Sequence, residues 1–330
     1  MLNELLGLVQ RATEVRPTYH AARCLAVRQS PAACTRCADV CPHDAVTVRP
    51  GGVEIDPLDC TGCGLCVQAC PSQALEPNVR LGPGRSVKCS RVDGDAQTVT
   101  CLARLRPTDL HGLVRGRDGA VLAHGDCAQC DVGDRSVPDR VRATVENAEA
   151  LLRLRGTTGA TLRIERRERL DDDGGARTLD RRALLRGGWD GAKRGAADLL
   201  APLDAGPDEA ERPAEARRRW RALELADLAD DAPVPWPVPR VSDACILCPV
   251  CTRVCPTDAF ARRYDDDGGG ALMLAPDRCV GCDACVDACP VDAISMDATP
   301  TWGEIAHGPT EAFRRAADGP DATGTMPRER

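Results

Sequence analysis

Twenty cysteines, which fall by spacing into five groups of four, constrain the fold of this 330-residue chain more than any other feature. In chain order the groups are Cys24, Cys34, Cys37 and Cys41; Cys60, Cys63, Cys66 and Cys70; Cys89, Cys101, Cys127 and Cys130; Cys245, Cys248, Cys251 and Cys255; and Cys279, Cys282, Cys285 and Cys289. The chain has only four Trp, two Tyr and two Phe, so the large side chains that usually fill a core are scarce. Because no cysteine is left over, the groups themselves are predicted to hold parts of the chain together.

Three of the groups share the spacing C-x2-C-x2-C-x3-C-P, in CTGCGLCVQACP, CILCPVCTRVCP and CVGCDACVDACP. The spacing is typical of iron–sulfur ligation, because three closely spaced thiolates can surround one cluster while the fourth reaches a neighbouring cluster. Small residues such as Gly62, Gly64, Gly281 and Ala284 leave room for backbone N–H groups to approach the sulfurs. Structural zinc usually takes two C-x2-C pairs, a pattern that these runs do not supply.

The first group departs from this spacing. Cys34, Cys37 and Cys41 match the last three positions, but the expected first position is occupied by Pro31. Cys24, ten residues before Cys34, is predicted to replace the missing ligand from a longer loop. The alternative is a three-iron cluster that lacks this ligand.

Residues 34–77 and 245–296 are two copies of one unit, in which two cysteine runs are separated by a hairpin of Val, Ile and Leu residues. Both copies resemble the bacterial-type dicluster ferredoxin family, which implies a small α+β fold around two [4Fe-4S] clusters. The resemblance further implies crossed ligation by four ligand sets. They are set A (Cys24, Cys34, Cys37, Cys70), set B (Cys41, Cys60, Cys63, Cys66), set C (Cys245, Cys248, Cys251, Cys289) and set D (Cys255, Cys279, Cys282, Cys285).

Residues 85–168 are predicted to form a parallel α/β domain. Short apolar strands at 87–89, 98–100, 120–123 and 160–164 alternate with helical periodicity over 141–154. The order of these motifs resembles the iron–sulfur delta subunit of methyl-viologen-reducing hydrogenases. The resemblance implies a fifth iron–sulfur centre of undetermined type on set E (Cys89, Cys101, Cys127, Cys130), and structural zinc is the alternative.

The predicted fold class is therefore two α+β ferredoxin-like dicluster units flanking a small α/β domain with parallel strands. Five segments are expected. They are a dicluster unit (1–84), the α/β domain with its four-Cys centre (85–168), a helical and Pro-rich connector (169–240), a second dicluster unit (241–296) and a mobile tail (297–330). The connector is expected to pack the second unit against the middle domain, with Trp220, Leu223 and Leu225 as candidate docking residues, and a docking surface for a partner is the alternative.

Several classes of function and location are not supported by the sequence. The net charge is −7 and no basic run with aromatic residues occurs, so nucleic acid is not an expected partner. No apolar stretch is long enough for a membrane span, and the N-terminus does not have the pattern of a secretory signal. A reducing, cytoplasmic location is predicted, in which clustered cysteines favour metal over disulfides. No nucleotide-binding glycine motif and no nucleophile–histidine constellation is visible, so no catalytic residue is predicted.

These features predict a protein that carries single electrons between redox partners, as a subunit of an oxidoreductase complex or a donor to one. The alternative is an iron–sulfur reductase subunit that acts on a disulfide or another small substrate at set E. Each oxidised four-thiolate cluster adds a charge of about −2, so partners with basic docking patches are expected. By family analogy, candidate partners are a hydrogenase, a formate dehydrogenase or another molybdopterin enzyme.

Overall fold

The computed structural model describes residues 16–79, 81–82, 86–114, 119–154, 161–168, 212–266 and 268–316. The first unit contains, in order, β1 (Thr18–Tyr19), α1 (Leu25–Arg28), α2 (Arg36–Asp39), β2 (Val46–Arg49), β3 (Gly52–Ile55), α3 (Leu65–Ala69) and β4 (Leu75–Glu76). Strands β1 and β4 pair antiparallel, and β2 and β3 form a hairpin with Val46 opposite Ile55. Gly51 closes this hairpin with a φ of +94°, which a residue without a Cβ adopts at low cost.

The middle domain is a parallel sheet with helices, as the alternating apolar pattern predicts. Its elements are β5 (Val87–Cys89), β6 (Gln97–Val99), α4 (Pro107–Leu113), β7 (Gly119–His124), α5 (Val137–Leu154) and β8 (Thr161–Arg166). The strand order is β6-β5-β7-β8, and every pairing is parallel. Helix α5 buries Val141, Ala148 and Leu152 on one face, which packs into the same apolar core as Leu122 of β7.

Helix α4 is not foreseen by the sequence analysis, because its seven residues are too few to show helical periodicity. Pro107 occupies its first turn, where the missing N–H costs nothing. The Asp109 carboxylate accepts the backbone N–H of Arg106 at 2.9 Å and so caps the helix start. Leu110 and Leu113 are fully buried and attach α4 to the sheet.

Part of the predicted connector belongs to the core of the second unit, which its charged and Pro-rich composition does not indicate. Its residues 169–211 lie outside the described part of the chain, and α6 follows (Ala214–Glu224). Trp220 and Leu223 are buried in the core of the second unit rather than available for a partner, whereas Leu225 is 58% exposed. The boundary at residue 240 is also wrong, because β9 (Val238–Val241) pairs antiparallel with a strand of that unit, Ile294 opposite Val241.

The second unit continues with α7 (Val250–Val254), β10 (Phe260–Tyr264), β11 (Gly270–Leu274), α8 (Ala284–Asp287) and β12 (Ile294–Asp297). Strands β10 and β11 form a hairpin with Phe260 opposite Leu274, matching the β2–β3 hairpin of the first unit. Strand β12 is the partner of β9. The two copies predicted from the sequence repeat are thus built from the same local elements.

The mobile tail predicted after Met296 is wrong for its first half. Helix α9 (Trp302–Ile305) and strand β13 (Thr310–Arg315) follow, and β13 pairs antiparallel with β11. Thr301 caps α9 together with Glu304, and Ile305 is almost completely buried. The segment is polar because β13 lies at the edge of its sheet, where only one side of the strand is paired. Residues 317–330 lie outside the described part of the chain.

Across the described ranges, no helix combines the length and the apolar character that a bilayer crossing requires.

Candidate metal centres

The four thiols of set B line one cavity in the first unit. Cys60 and Cys63 lie on the loop before α3, Cys66 lies within α3, and Cys41 reaches the cavity from the other cysteine run. Burial and the neighbouring thiols raise the pKa of Cys66 to about 12. The crossed arrangement expected from the ferredoxin resemblance is therefore present in the positions of these four side chains.

The thiols of set A are also brought together, including Cys24, for which the sequence left the three-iron alternative open. Burial raises the pKa of Cys37 to about 12, and the nearby thiols of Cys70, Cys34 and Cys24 contribute in that order. Cys24 is 8% exposed and follows a single 3₁₀ turn that begins after β1. The longer loop between Cys24 and Cys34 thus brings the Cys24 thiol near the other thiols of set A, although Pro31 occupies the first ligand position of the regular spacing.

In the second unit, the four thiols of set D line one cavity. Cys255 comes from the end of α7, and the other three come from the loop before α8 and from α8 itself. For set C, burial and the neighbouring thiols of Cys248 and Cys245 raise the pKa of Cys251 to about 11. Cys289 follows α8, which packs against the helix that carries Cys251.

The four thiols of set E line one cavity at one edge of the parallel sheet. Cys89 ends β5, Cys101 follows β6, and Cys127 and Cys130 follow β7, so all four lie beyond the carboxyl ends of strands. The histidine nearest to this group in sequence, His124, lines the same cavity, with its Nδ1 3.6 Å from the Cys127 sulfur.

A left-handed residue three positions after the last cysteine of each run directs the backbone to the sulfur. Asp44, Gln73, Asp258 and Asp292 have φ between 49° and 53°. After three of these turns the next N–H, from Ala74, Ala259 or Ala293, donates to the cysteine sulfur at 3.2 Å. The repeated C-P-x-x-A sequence therefore encodes an N–H···S contact. Asp tolerates this backbone conformation better than most residues, which suits it to the position.

Glycines inside the runs allow close backbone approach, as their small size predicts. A Cβ on Gly64 would lie 2.7 Å from backbone and side-chain atoms of Arg104, and one on Gly281 would lie 2.6 Å from Pro237. Both glycines have positive φ. The run at 245–256 departs from this pattern, because Leu247 takes the left-handed conformation with a φ of 55°.

Arg104 is a site residue that the sequence analysis missed. It is 5% exposed, and its guanidinium donates to the Gly62 carbonyl at 2.8 Å. Burial lowers its pKa, whereas the nearby thiols of sets B and E, Cys60 and Cys101 first, raise it. The only sequence signal is its position three residues after Cys101. The chain contains many other arginines, so this position alone does not mark Arg104 as a site residue.

Sets B and E lie next to each other. The thiols of Cys101 and Cys63 are close enough to interact electrically, and Gly133 packs between them, since a Cβ there would lie 3.5 Å from the Cys101 sulfur. The Val132 carbonyl accepts the Thr61 hydroxyl at 2.7 Å, which fixes the middle domain on the loop that carries set B.

The donor chemistry of the five sets fits iron–sulfur clusters. All twenty cysteines are free thiols, and each set offers four sulfur donors in a largely buried surrounding. Within the described residues, no three His, Cys, Asp or Glu side chains are grouped closely enough to hold one metal ion. A cluster needs a wider spacing than a single ion, because each thiolate binds a different iron.

Comparison with known proteins agrees with this chemistry. Residues 32–74 and 244–293 match the 4Fe-4S dicluster domain, so the chain contains two regions of this domain type. The resemblance to dicluster ferredoxins predicted from the cysteine runs is confirmed. The resemblance of the middle domain to a hydrogenase delta subunit stays a prediction.

Relatives with curated names are electron-transfer proteins or components of redox complexes. One component of the Na(+)-translocating ferredoxin:NAD(+) oxidoreductase complex of Acetobacterium woodii is 31% identical over 97 residues, covering 29% of this chain and 28% of that protein. The electron transport protein HydN of Escherichia coli is 36% identical over 64 residues, covering 18% of this chain and 37% of HydN. The chain therefore spans well under half the length of each. No solved structure matches the chain.

Proposed function

We propose that this chain carries single electrons through four [4Fe-4S] clusters, held by sets A to D, and a fifth iron–sulfur centre held by set E. The observation that carries the proposal is the convergence of thiols from separate cysteine runs. Set B and set D each line one cavity in the crossed order that paired clusters require. The four thiols of set E line a third cavity, which supports a centre there as well.

The protein's part in this chemistry is to hold the thiolates and to set their electrical surroundings. Burial raises the pKa of Cys66, Cys101 and Cys279 to about 12, so without a cationic partner these groups are protonated at neutral pH. Binding of iron then requires each thiol to give up its proton. The bound clusters supply reversible one-electron redox chemistry. N–H donors such as Ala74 and Ala259 hold the sulfurs in place and favour the more negative state.

Contacts between the units support an order for the centres. Set E lies next to set B, since the charges on Cys101 and Cys63 act on each other. Set B likewise lies next to set A, since, besides burial, the charge on Cys37 raises the pKa of Cys66. Beyond set A, the first unit contacts the second through Arg28, which pairs with Asp258 at 3.0 Å. We infer that the centres on sets E, B and A connect with the clusters of the second unit as one path for electrons.

Redox proteins are the proposed partners, in keeping with the named relatives, and the cytoplasm is the proposed location. Basic docking patches on the partner are expected, because the bound clusters add negative charge to a chain that already carries a net charge of −7. A hydrogenase, a formate dehydrogenase or another molybdopterin enzyme remains the proposed class of partner.

Anaerobic reconstitution followed by metal analysis tests the proposal. About 16–20 irons per chain, with matching sulfide, are expected, and dithionite reduction is expected to give EPR signals of magnetically coupled clusters. The double variant Cys127→Ser/Cys130→Ser is expected to lose the iron of one centre only. Zinc in place of iron at set E, or protein that folds without visible charge-transfer absorbance, contradicts the proposal.

A further inference from the structure

An exposed leucine lies two residues before a cysteine of set B. Leu58 is 91% exposed, the highest value among the exposed large hydrophobic side chains in the described part of the chain, and Cys60 of set B follows it. The turn is held by Asp56, whose carboxylate accepts the Leu58 N–H at 2.7 Å. A single exposed leucine is common on protein surfaces, so its charged neighbours and the equivalent turn of the second unit decide what it indicates.

Carboxylates surround this leucine. Asp56 and Asp59 flank it in the chain, and Asp44 lies beside the turn because Asp56 N–H donates to the Ala45 carbonyl at 2.8 Å. All three are exposed, and no ion pair is found for them among the residues that the structure describes. We call Asp44, Asp56, Leu58 and Asp59 the Leu58 surface.

The second unit shows what covers the equivalent turn. There, Ala275 N–H donates to the Ala259 carbonyl at 2.8 Å, the same bond that Asp56 makes to Ala45. Asp277, at the position of Leu58, forms an ion pair with Arg212, just before α6. The Pro276 carbonyl accepts the buried indole N–H of Trp236 at 2.8 Å, so the turn is closed off by the preceding segment of the chain.

The second acid of the repeat behaves in the same way. Asp258, which occupies the position of Asp44, pairs with Arg28 of the first unit at 3.0 Å. In the second unit, both acidic positions beside the turn are thus met by arginines from other parts of the chain. In the first unit the corresponding surface faces solvent, with Leu58 added at its centre.

We propose that the Leu58 surface docks a redox protein that presents arginine or lysine side chains around an apolar pocket for Leu58, and that electrons enter or leave set B there. This inference rests on the proposed function. Three carboxylates and the negative charge of a bound cluster outnumber the nearby cation Arg16, which donates to the Ile55 carbonyl at 3.5 Å, so the net negative charge steers a basic partner toward the surface. The exposed leucine supplies the apolar contact that charge alone does not.

Electron transfer to a lysine-rich c-type cytochrome provides the test. The full chain is reconstituted and reduced with dithionite, the excess reductant is removed, and the rate of haem reduction is followed by stopped flow at several salt concentrations. One electron passes from the chain to each ferric haem. We expect Asp44→Asn/Asp59→Asn to slow the reaction at low salt at least about fivefold and to flatten its salt dependence. We expect Leu58→Ser to slow it at all salt concentrations.

The matched control changes the same charge elsewhere. Asp227→Asn/Asp230→Asn removes two exposed carboxylates near the end of α6, and Asp227 shares the left-handed backbone of Asp44, with a φ of 49°. Leu225→Ser is the control for the leucine, since Leu225 is 58% exposed. Neither control is expected to change the rate more than about twofold.

Three outcomes would overturn the docking site. They are equal slowing by the paired test and control variants, unchanged rates in the test variants, and a change in oligomeric state that shows a second copy of the chain to be the occupant. In each case the wild-type chain still reduces the cytochrome, so the proposed function stands. A reconstituted wild-type chain that binds no iron or transfers no electrons refutes the proposed function instead.

Discussion

Replacement of Arg104 by Gln is expected to lower the reduction potentials of the centres on sets B and E. The guanidinium is 5% exposed, and its charge reaches the thiols of Cys60, Cys101, Cys63 and Cys66. A reduced cluster is one unit more negative than an oxidised one, so a fixed cation beside it stabilises the reduced state. Loss of that cation therefore makes both centres harder to reduce.

The size of the shift follows from the burial of Arg104. A unit charge about 6 Å from a cluster, at an effective dielectric constant of about 20, contributes about 3 kcal/mol. A tenfold change in a one-electron equilibrium corresponds to about 59 mV, so the expected shift is about 120 mV. The low exposure of Arg104 means that salt screens this interaction weakly.

An EPR-monitored redox titration measures the potentials directly. Arg104→Lys is the matched variant, because it also loses the bond to the Gly62 carbonyl but keeps a positive charge. It is expected to shift the potentials by less than half as much as Arg104→Gln. Equal shifts in the two variants would show that loop geometry rather than charge sets the potential, and a shift below about 20 mV in Arg104→Gln would refute the Coulomb argument.

Three further predictions concern ligation and stability. Cys24→Ala is expected to convert the centre on set A to a three-iron form, which EPR of the oxidised protein detects, and an unchanged spectrum would remove Cys24 from the ligands. Glu215→Ala is expected to lower the free energy of unfolding by about 2–3 kcal/mol in thermal denaturation, because the buried carboxylate accepts both the N–H and the hydroxyl of Thr108. Burial acts to raise the pKa of Glu76, but hydrogen bonds, among them one from Arg23, lower it to about 2. Its stabilisation is therefore present above about pH 4.5 and lost as the pH falls toward 2, so Glu76→Gln should cost about 3 kcal/mol at pH 7 and much less at low pH.

The features of this chain that could be predicted from its sequence are those encoded over short distances. A cysteine run places three thiols within seven residues, so its spacing alone indicates the kind of centre that it serves. The strands of the middle domain are bounded by turns and carry apolar residues, and the parallel sheet follows from their alternation with helices. Cys24 stays a predicted ligand, because set A lacks a fourth cysteine without it and no other use for Cys24 is visible in the sequence.

The features that sequence reasoning missed depend on distant partners. Strand β13 reads as a polar tail, but it pairs with β11, about 40 residues earlier in the chain, and Arg314 reaches Asp265 across the sheet at 2.6 Å. Trp220 is a candidate for packing inside the chain or for docking a partner, and only the structure shows that its ring packs against Trp236, at 5.1 Å between centroids. Arg104 has no local pattern at all, because its role depends on a loop that precedes it by about 40 residues.

The duplicated unit offers a way to separate what the clusters require from what partners require. Positions that hold a cluster keep their backbone in both copies, as the left-handed Asp44 and Asp258 show. Positions that face outward differ, since Leu58 in one copy corresponds to a paired Asp277 in the other. A residue that differs between the two copies, while the cysteine geometry stays the same, is therefore not required for cluster ligation. Leu58 is such a residue and is also apolar and exposed, so the comparison of Leu58→Ser with Leu225→Ser tests whether recognition of another molecule accounts for its character.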